Sequence, residues 1–145
     1  MRTPLLFTLF IGLFVLGCAK EGQLTWTEKR MLGTWTYEKV KVYDNWSISG
    51  ERITDEYEGI SITFYSDFSV EMIDINNGQG FSGVWNITES WSDDESSNHL
   101  FASLQENESG ELRQLILENL SVTQKRMSAS FDDNQQRFNY WLRKQ

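Results

Sequence analysis

The residues that could do chemistry are few, and the sequence holds a single cysteine, Cys18, and a single histidine, His99. One histidine excludes a three-histidine zinc site, and a Ser-His-Asp triad would have to use His99 as its base. Nothing in the sequence brings a pair of carboxylates to the separation that glycosidase chemistry requires. We therefore expect no catalytic residue, no metal site and no cofactor, and we predict that the protein is not an enzyme.

The segment that precedes Cys18 has the features of a signal peptide. Arg2 supplies a positive charge, and a nearly uninterrupted apolar run follows it over residues 5–16. This run is shorter than the roughly 20 apolar residues that a bilayer-spanning helix needs. Residues 1–17 are therefore predicted to be a signal peptide that is removed from the mature protein.

The residues Val15-Leu16-Gly17-Cys18 resemble the lipobox of bacterial lipoproteins. The resemblance implies cleavage before Cys18 and acylation of that residue with chains such as palmitate, and two or three chains make a stable membrane anchor. In the inner-membrane retention signal of such lipoproteins, Asp occupies the position that Ala19 holds here. The resemblance therefore favours the outer membrane. Lys20-Glu21 resembles the surface-export signal of Bacteroidetes lipoproteins, so both the periplasmic face and the cell surface remain open. An acylated Cys18 also leaves no thiol for a disulfide or a nucleophile.

The composition of the remaining chain is that of one acidic domain. Removal of residues 1–17 takes away Arg2 and no acid, so the formal net charge moves from -8 to -9. This charge argues against nucleic acid as a partner, and it suggests that acyl chains rather than the protein surface hold the protein to the membrane. We assign residues 18–27 to the lipidated cysteine and a short tether, and residues 28–145 to one domain.

The hydrophobic pattern after residue 33 has a period close to two, which predicts antiparallel strands with one buried face. A helical turn is expected over residues 26–32, with Thr25 or Thr27 as its cap. The links over residues 44–58 and 89–98 are long, and Asp93-Asp94-Glu95 in the second is interpreted as a solvated acidic loop rather than a calcium site. Eight strands separated mostly by short links favour an all-β, up-and-down barrel. They are predicted at 34–43, 59–65, 68–75, 81–88, 99–105, 112–119, 126–132 and 137–143.

The segment Leu32-Gly33-Thr34-Trp35, after a helical turn, resembles the Gly-x-Trp signature of lipocalins. The hairpin over residues 64–70 and the ending over residues 138–143 are similar to bacterial lipocalin-like domain lipoproteins of the Bacteroidetes type. The resemblance implies a lipocalin-like barrel in which Trp35, next to Gly33, plugs the closed end. It also implies that an arginine of the last strand, Arg143, packs across that tryptophan, and that residues 44–58 form a lid over the open end.

Two functions remain open at this point. The first is a membrane-tethered lipoprotein that binds a small apolar or amphipathic ligand in the barrel, beneath a lid that includes Trp46, Ile48 and Tyr57. The alternative is a non-enzymatic interaction or structural module of the cell envelope with a filled barrel, because an eight-stranded barrel is just wide enough for either. Five aromatic residues on the inward phase would line the ligand pocket in the first case and form the core in the second: Phe64, Phe68, Trp85, Phe138 and Tyr140.

Overall fold

The computed structural model describes residues 23–44, 47–92 and 95–145, and most of them lie in β-strands. Cys18 and Trp46 lie outside the described residues. The described residues form, in chain order, α1 (Trp26–Met31), β1 (Gly33–Asp44), β2 (Glu51–Arg52), a 3₁₀ turn η1 (Thr54–Tyr57), β3 (Ile60–Phe64), β4 (Ser69–Asp74), β5 (Gln79–Ser92), β6 (Glu95–Glu106), β7 (Leu112–Val122), β8 (Arg126–Asp132) and β9 (Gln136–Lys144).

The strands form one closed antiparallel sheet. β1 pairs with β3, and each strand from β3 to β8 pairs with the strand that follows it. The last strand, β9, then pairs with β1 along nearly the whole length of β9 and closes the ring. The two-residue strand β2 is an addition to β1 and lies outside this ring of eight. The predicted eight-stranded antiparallel barrel with a short helix near its start is therefore confirmed.

The helix α1 lies at one end of the barrel, which we call the helix end. A capping box starts α1, because the Thr25 hydroxyl accepts from the Glu28 amide and the Glu28 carboxylate accepts from the Thr25 amide. This confirms Thr25 as the cap, and it places the start of the helix within the segment that the sequence assigned to the tether. None of the described helices has the length and apolar character needed to cross a bilayer.

The start of β1, the β3–β4 turn, the β7–β8 turn and the end of β9 also lie at the helix end. The opposite end, which we call the mouth, holds η1, the end of β1 and the β8–β9 turn. Two irregularities keep the apolar side chains of the barrel facing inward. The register shifts after Tyr37 in β1, and again in β7, where Asn119 has a φ of +49°.

The prediction of a long acidic link over residues 89–98 is wrong. Residues Glu89 to Ser92 pair with residues Glu95 to Asn98, so β5 and β6 run on as a two-stranded ribbon. β4 pairs with β5 only as far as Val84, and Leu100 is the first β6 residue that pairs with β7, so both faces of the ribbon meet solvent. A ribbon without a buried face needs no apolar alternation, and its strands therefore left no periodic signal in the sequence.

Candidate functional site

The helix end of the barrel is closed by Trp35. Its side chain is fully buried, and the indole Nε1 donates a 2.7 Å hydrogen bond to the carbonyl oxygen of Met31, the last residue of α1. The ammonium of Lys144 lies 5.3 Å from the Trp35 ring centroid and donates a 3.2 Å hydrogen bond to the carbonyl of Arg30. Tryptophan and lysine therefore both donate hydrogen bonds to carbonyls in the last turn of α1, which fixes the helix onto the barrel.

The cation over Trp35 is Lys144 and not the predicted Arg143. Side chains alternate along β9, so Tyr140, Leu142 and Lys144 share the inward phase while Arg143 points outward. The Arg143 guanidinium is half exposed and makes a 2.6 Å ion pair with Glu38.

Gly33 makes room for this arrangement. Its φ of +109° suits glycine, and a Cβ at this position would lie 2.8 Å from Cε of Lys144. The predicted Gly33 and Trp35 thus lie together at the helix end, with Lys144 in the place expected for Arg143.

The five predicted pocket residues lie in two clusters at different heights in the barrel. Phe64 and Phe68 each lie 5.3 Å from Trp85, measured between ring centroids, near the helix end. Phe68 belongs to the β3–β4 turn, where its φ is +64°. Phe138 stacks on Tyr140 at 6.3 Å in the half of the barrel toward the mouth. The five rings therefore line no single pocket.

The interior near the helix end is filled by the protein's own side chains. Solvent-accessible surface includes the walls of any internal void that a water molecule can enter, so side chains without such surface border no void of that size. Nine inward residues at this level retain at most 1 % of their exposure: Met31, Trp35, Ile62, Phe64, Val70, Leu100, Leu117, Met127 and Leu142. Trp85, Leu120 and Val122 are also buried, with 3–6 % of their exposure left. A ligand therefore has no preformed space in this half.

Toward the mouth, three tyrosines pack ring against ring. The Tyr57 ring centroid lies 4.9 Å from that of Tyr37 and 5.9 Å from that of Tyr140, and the latter two are 5.9 Å apart. Burial, followed by the nearby Tyr57, raises the pKa of both Tyr37 and Tyr140 far above the ordinary tyrosine range. We call Tyr37, Tyr57 and Tyr140 the tyrosine cluster.

Tyr57 reaches the cluster from η1, which folds over the mouth. The segment is tied to β1 by a 3.1 Å hydrogen bond from the Val40 amide to the Thr54 hydroxyl and by one from the Ile53 amide to the Val40 carbonyl. No residue of η1 is buried. Of the predicted lid residues, Tyr57 therefore covers the mouth, whereas Ile48 is fully exposed to solvent.

Two acidic side chains near the mouth stabilise the hairpin turns in which they lie. The buried Glu106 carboxylate accepts a hydrogen bond from the Ser109 amide, and contacts with Ser109 lower the pKa of Glu106. Hydrogen bonds from Asn77 similarly lower the pKa of Asp74. A carboxyl group that acts as a general acid at neutral pH needs a raised pKa. The pKa values of Glu106 and Asp74 are shifted in the opposite direction.

His99 makes the one Ser-His contact within the described part of the chain. Its Nε2 lies 2.8 Å from the hydroxyl of Ser97, two residues away on β6, and none of the described carboxylates hydrogen-bonds the other ring nitrogen. Over residues 23–44, 47–92 and 95–145, no group of three His, Cys, Asp or Glu side chains could hold a metal ion.

Two residues of these sites were missed by the sequence reasoning. Tyr37 follows Trp35 by two residues and so carried a period-two signal, but the bulge at Glu38 interrupts that pattern before Val40. Lys144 could have been found by counting two residues on from Leu142, because both lie on the inward phase of β9.

The chain was compared with models of protein families, with curated proteins and with solved structures, and none of them matches it.

Removal of the Trp35 side chain tests the plug. We expect Trp35→Ala to lower the free energy of unfolding by about 3–5 kcal/mol, because it leaves a cavity and a lost hydrogen bond at the end of α1. Trp91→Ala is the matched control, since this ring is 72 % exposed and its loss should change stability by about 0.5 kcal/mol or less. Urea denaturation measures both values, and equal losses in the two variants would contradict the assignment.

Alkaline unfolding tests the burial of the tyrosine cluster. In the unfolded chain, tyrosines ionise near pH 10, whereas Tyr37 and Tyr140 keep their protons when folded. The stability that their burial supplies is therefore fully present below about pH 10 and is lost as the pH rises toward the raised pKa values. We expect the double variant Tyr37→Phe/Tyr140→Phe to flatten the fall in unfolding free energy above about pH 10.

Tyr65→Phe is the control for that experiment. The pKa of Tyr65 is also raised, first by its hydrogen bond to Glu71, but its hydroxyl lies at the surface. Its replacement should change the slope of stability against pH less than the double variant does. A larger effect from Tyr65→Phe would show that burial is not the cause.

Proposed function

We propose that the protein is a lipocalin-like lipoprotein of the bacterial envelope, acylated at Cys18, whose barrel binds a small amphipathic ligand at the mouth. The observation that supports this proposal best is the tyrosine cluster, which is closed by a segment with no buried residue of its own. Segments with few buried contacts open at low free-energy cost, and binding lids belong to this class. The proposed ligand enters when η1 moves outward and takes the place of the Tyr57 ring.

The packing of the helix end limits the size of this ligand. A long acyl chain would have to displace Phe64, Trp85 and the fully buried residues around them, each of which contributes to the stability of the core. The space vacated by Tyr57 suits one ring. The rings of Tyr37 and Tyr140 would supply offset or edge contacts to it. We therefore propose a flat, ring-containing amphiphile rather than a fatty acid.

The position of α1 is compatible with the proposed anchor. The described chain begins at residue 23 and enters α1 at the helix end, so a lipid on Cys18 would be attached near that end and away from the mouth. On this arrangement, the mouth stays accessible to solvent while the acyl chains lie in the membrane. The proposed location is the outer membrane, where the protein lies either on the periplasmic face or at the cell surface.

Replacement of the cysteine tests the anchor. Cys18→Ser should lose incorporation of labelled palmitate, and it should leave the membrane fraction when the membranes are washed with high salt, which removes protein held by charge alone. Ala19→Ser is the matched control, since it changes the neighbouring residue and keeps the thiol, and it should remain labelled and membrane-bound. Retention of Cys18→Ser in washed membranes would contradict the anchor.

A fluorescent anilinonaphthalene sulfonate, which joins aromatic rings to one charged group, serves as a probe for the mouth. Tyr57→Ala should bind this probe at least about fivefold more tightly than the unchanged protein, because the two ring contacts of Tyr57 with Tyr37 and Tyr140, each worth about 0.5–1.5 kcal/mol, need not be broken. Tyr65→Ala, an exposed tyrosine outside the barrel, should bind as the unchanged protein does. Equal affinity of all three proteins would contradict binding at the mouth.

A filled barrel that acts as an interaction module is the second candidate. It is supported by Trp91, which is 72 % exposed on a ribbon that projects beyond the barrel. Large exposed aromatic side chains are typical anchors at protein interfaces. If the unchanged protein binds no probe, and a photocrosslinker at position 91 traps one envelope protein that a crosslinker at the exposed Ile48 does not, this second function replaces the first.

A further inference from the structure

We propose that a basic patch at the helix end docks the barrel onto anionic lipid headgroups, in one orientation, beside the tether. We define the basic patch as Arg30, Lys125, Arg126, Arg143 and Lys144. The proposal rests on the lipoprotein function above for the position of the tether, but the patch itself is a property of the folded chain.

Charge is divided unevenly along the chain. Residues 53–122, which span β3 to β7, contain 14 Asp and Glu and a single cation, Arg113. Residues 123–145 contain five Lys and Arg and two Asp. Closure of the barrel sets β9 beside β1, so these cations lie beside those of residues 23–52, which contain five Lys and Arg and four Asp and Glu. The net acidic charge therefore conceals a positive surface.

The members of the basic patch are joined by direct contacts. The Lys144 ammonium donates to the carbonyl of Arg30, and the Lys144 amide donates to the carbonyl of Lys125 at 3.0 Å. Arg126 and Arg143 are directly opposite each other on β8 and β9. An open cleft is lined by the β7–β8 turn and the end of β9, including Lys125, Arg126, Arg143 and Lys144.

The opposition of Arg126 and Arg143 has a cost for folding. Like charges directly across a strand pair destabilise a sheet, and Glu38 offsets part of this repulsion through its ion pair with Arg143. Neither guanidinium is needed for the core, because both side chains are exposed. A binding role for concentrated positive charge accounts for a pair that local stability disfavours.

The basic patch lies where the membrane would be. The chain leaves the described structure at residue 23, three residues before α1, and Cys18 lies five residues farther back. Trp26, the first residue of α1, is 63 % exposed, with the Arg30 guanidinium 3.2 Å from its ring centroid. Exposed tryptophan next to cations is typical of the headgroup region of a bilayer.

The opposite side of the helix end faces away from the bilayer in this orientation. The β3–β4 turn carries Asp67, and the ribbon carries Glu89 and Glu95, all of which an anionic surface would repel. The ribbon also projects from the helix end, but it starts from β5 and β6, across the ring of strands from β9. The docked barrel is therefore tilted, so that α1, the β7–β8 turn and the end of β9 contact the headgroups while the acidic ribbon on the opposite side is held away from them.

Energy transfer from single labels to a lipid dye tests the orientation. Gln124 lies in the β7–β8 turn and Gln135 in the β8–β9 turn at the mouth, and both are exposed, so Gln124→Cys and Gln135→Cys form a matched pair. The full-length protein is added to vesicles of phosphatidylcholine with or without phosphatidylglycerol. With the anionic lipid, the label at position 124 should transfer more efficiently than the label at position 135. Without it, the difference should shrink.

Charge reversal identifies the surface. Each cation close to an anionic bilayer strengthens binding about fivefold, so Lys125→Glu/Arg126→Glu should lower the ratio of docked to undocked protein about 25-fold or more. Lys41→Glu/Arg137→Glu, which reverses two cations nearer the mouth, changes the net charge equally and should leave the ratio unchanged. High salt should abolish docking of the unchanged protein. Thermal denaturation of each variant confirms that it folds.

Equal transfer from positions 124 and 135 on anionic vesicles would overturn the proposal, as would an equal loss in the two charge-reversed variants. The mass of Cys18 in the same samples separates this result from failure of the anchor. If Cys18 proves unacylated, anionic vesicles should still recruit the protein with position 124 nearest the lipid, whereas neutral vesicles should not.

Discussion

The pairing of β9 with β1 is the constraint on which the rest of the structure depends. It removes the two free edges of the sheet and brings together side chains more than a hundred residues apart in sequence. Trp35 becomes the register partner of Lys144, which then ends α1, and Tyr37 comes within ring contact of Tyr140. The plug, the tyrosine cluster and the basic patch are thus three consequences of one strand pair.

Alternation of apolar and polar residues predicted the barrel, because a strand with one buried face must repeat every two residues. The same rule explains the failures. Residues 89–98 form a ribbon with no buried face, so nothing in their pattern distinguished strand from loop. Arg143 was placed on the inner side of β9 from a family resemblance, although the phase of Tyr140 and Leu142 assigns that position to Lys144.

The candidate site was predicted only in part for a related reason. Periodicity states which face of a strand is buried, but not how far along the barrel axis a residue lies. Phe64 and Tyr140 share the inward phase, yet one belongs to the filled helix end and the other to the tyrosine cluster. The height of each residue depends on strand register, which hairpin geometry and bulges set, and the break in alternation between Tyr37 and Val40 does not by itself identify a bulge.

The two ends of the barrel differ in how firmly they are held, and this difference joins the two proposals. At the helix end, a buried indole, a capping box and the Lys144 ammonium all act on six residues of α1. At the mouth, η1 buries no residue. Local opening favours the less buried segment, so the mouth should open long before the helix end does. A membrane contact through the basic patch would engage the end that stays closed, and ligand exchange would occur at the end that opens. Docking and binding therefore need not compete for the same surface or the same conformational change.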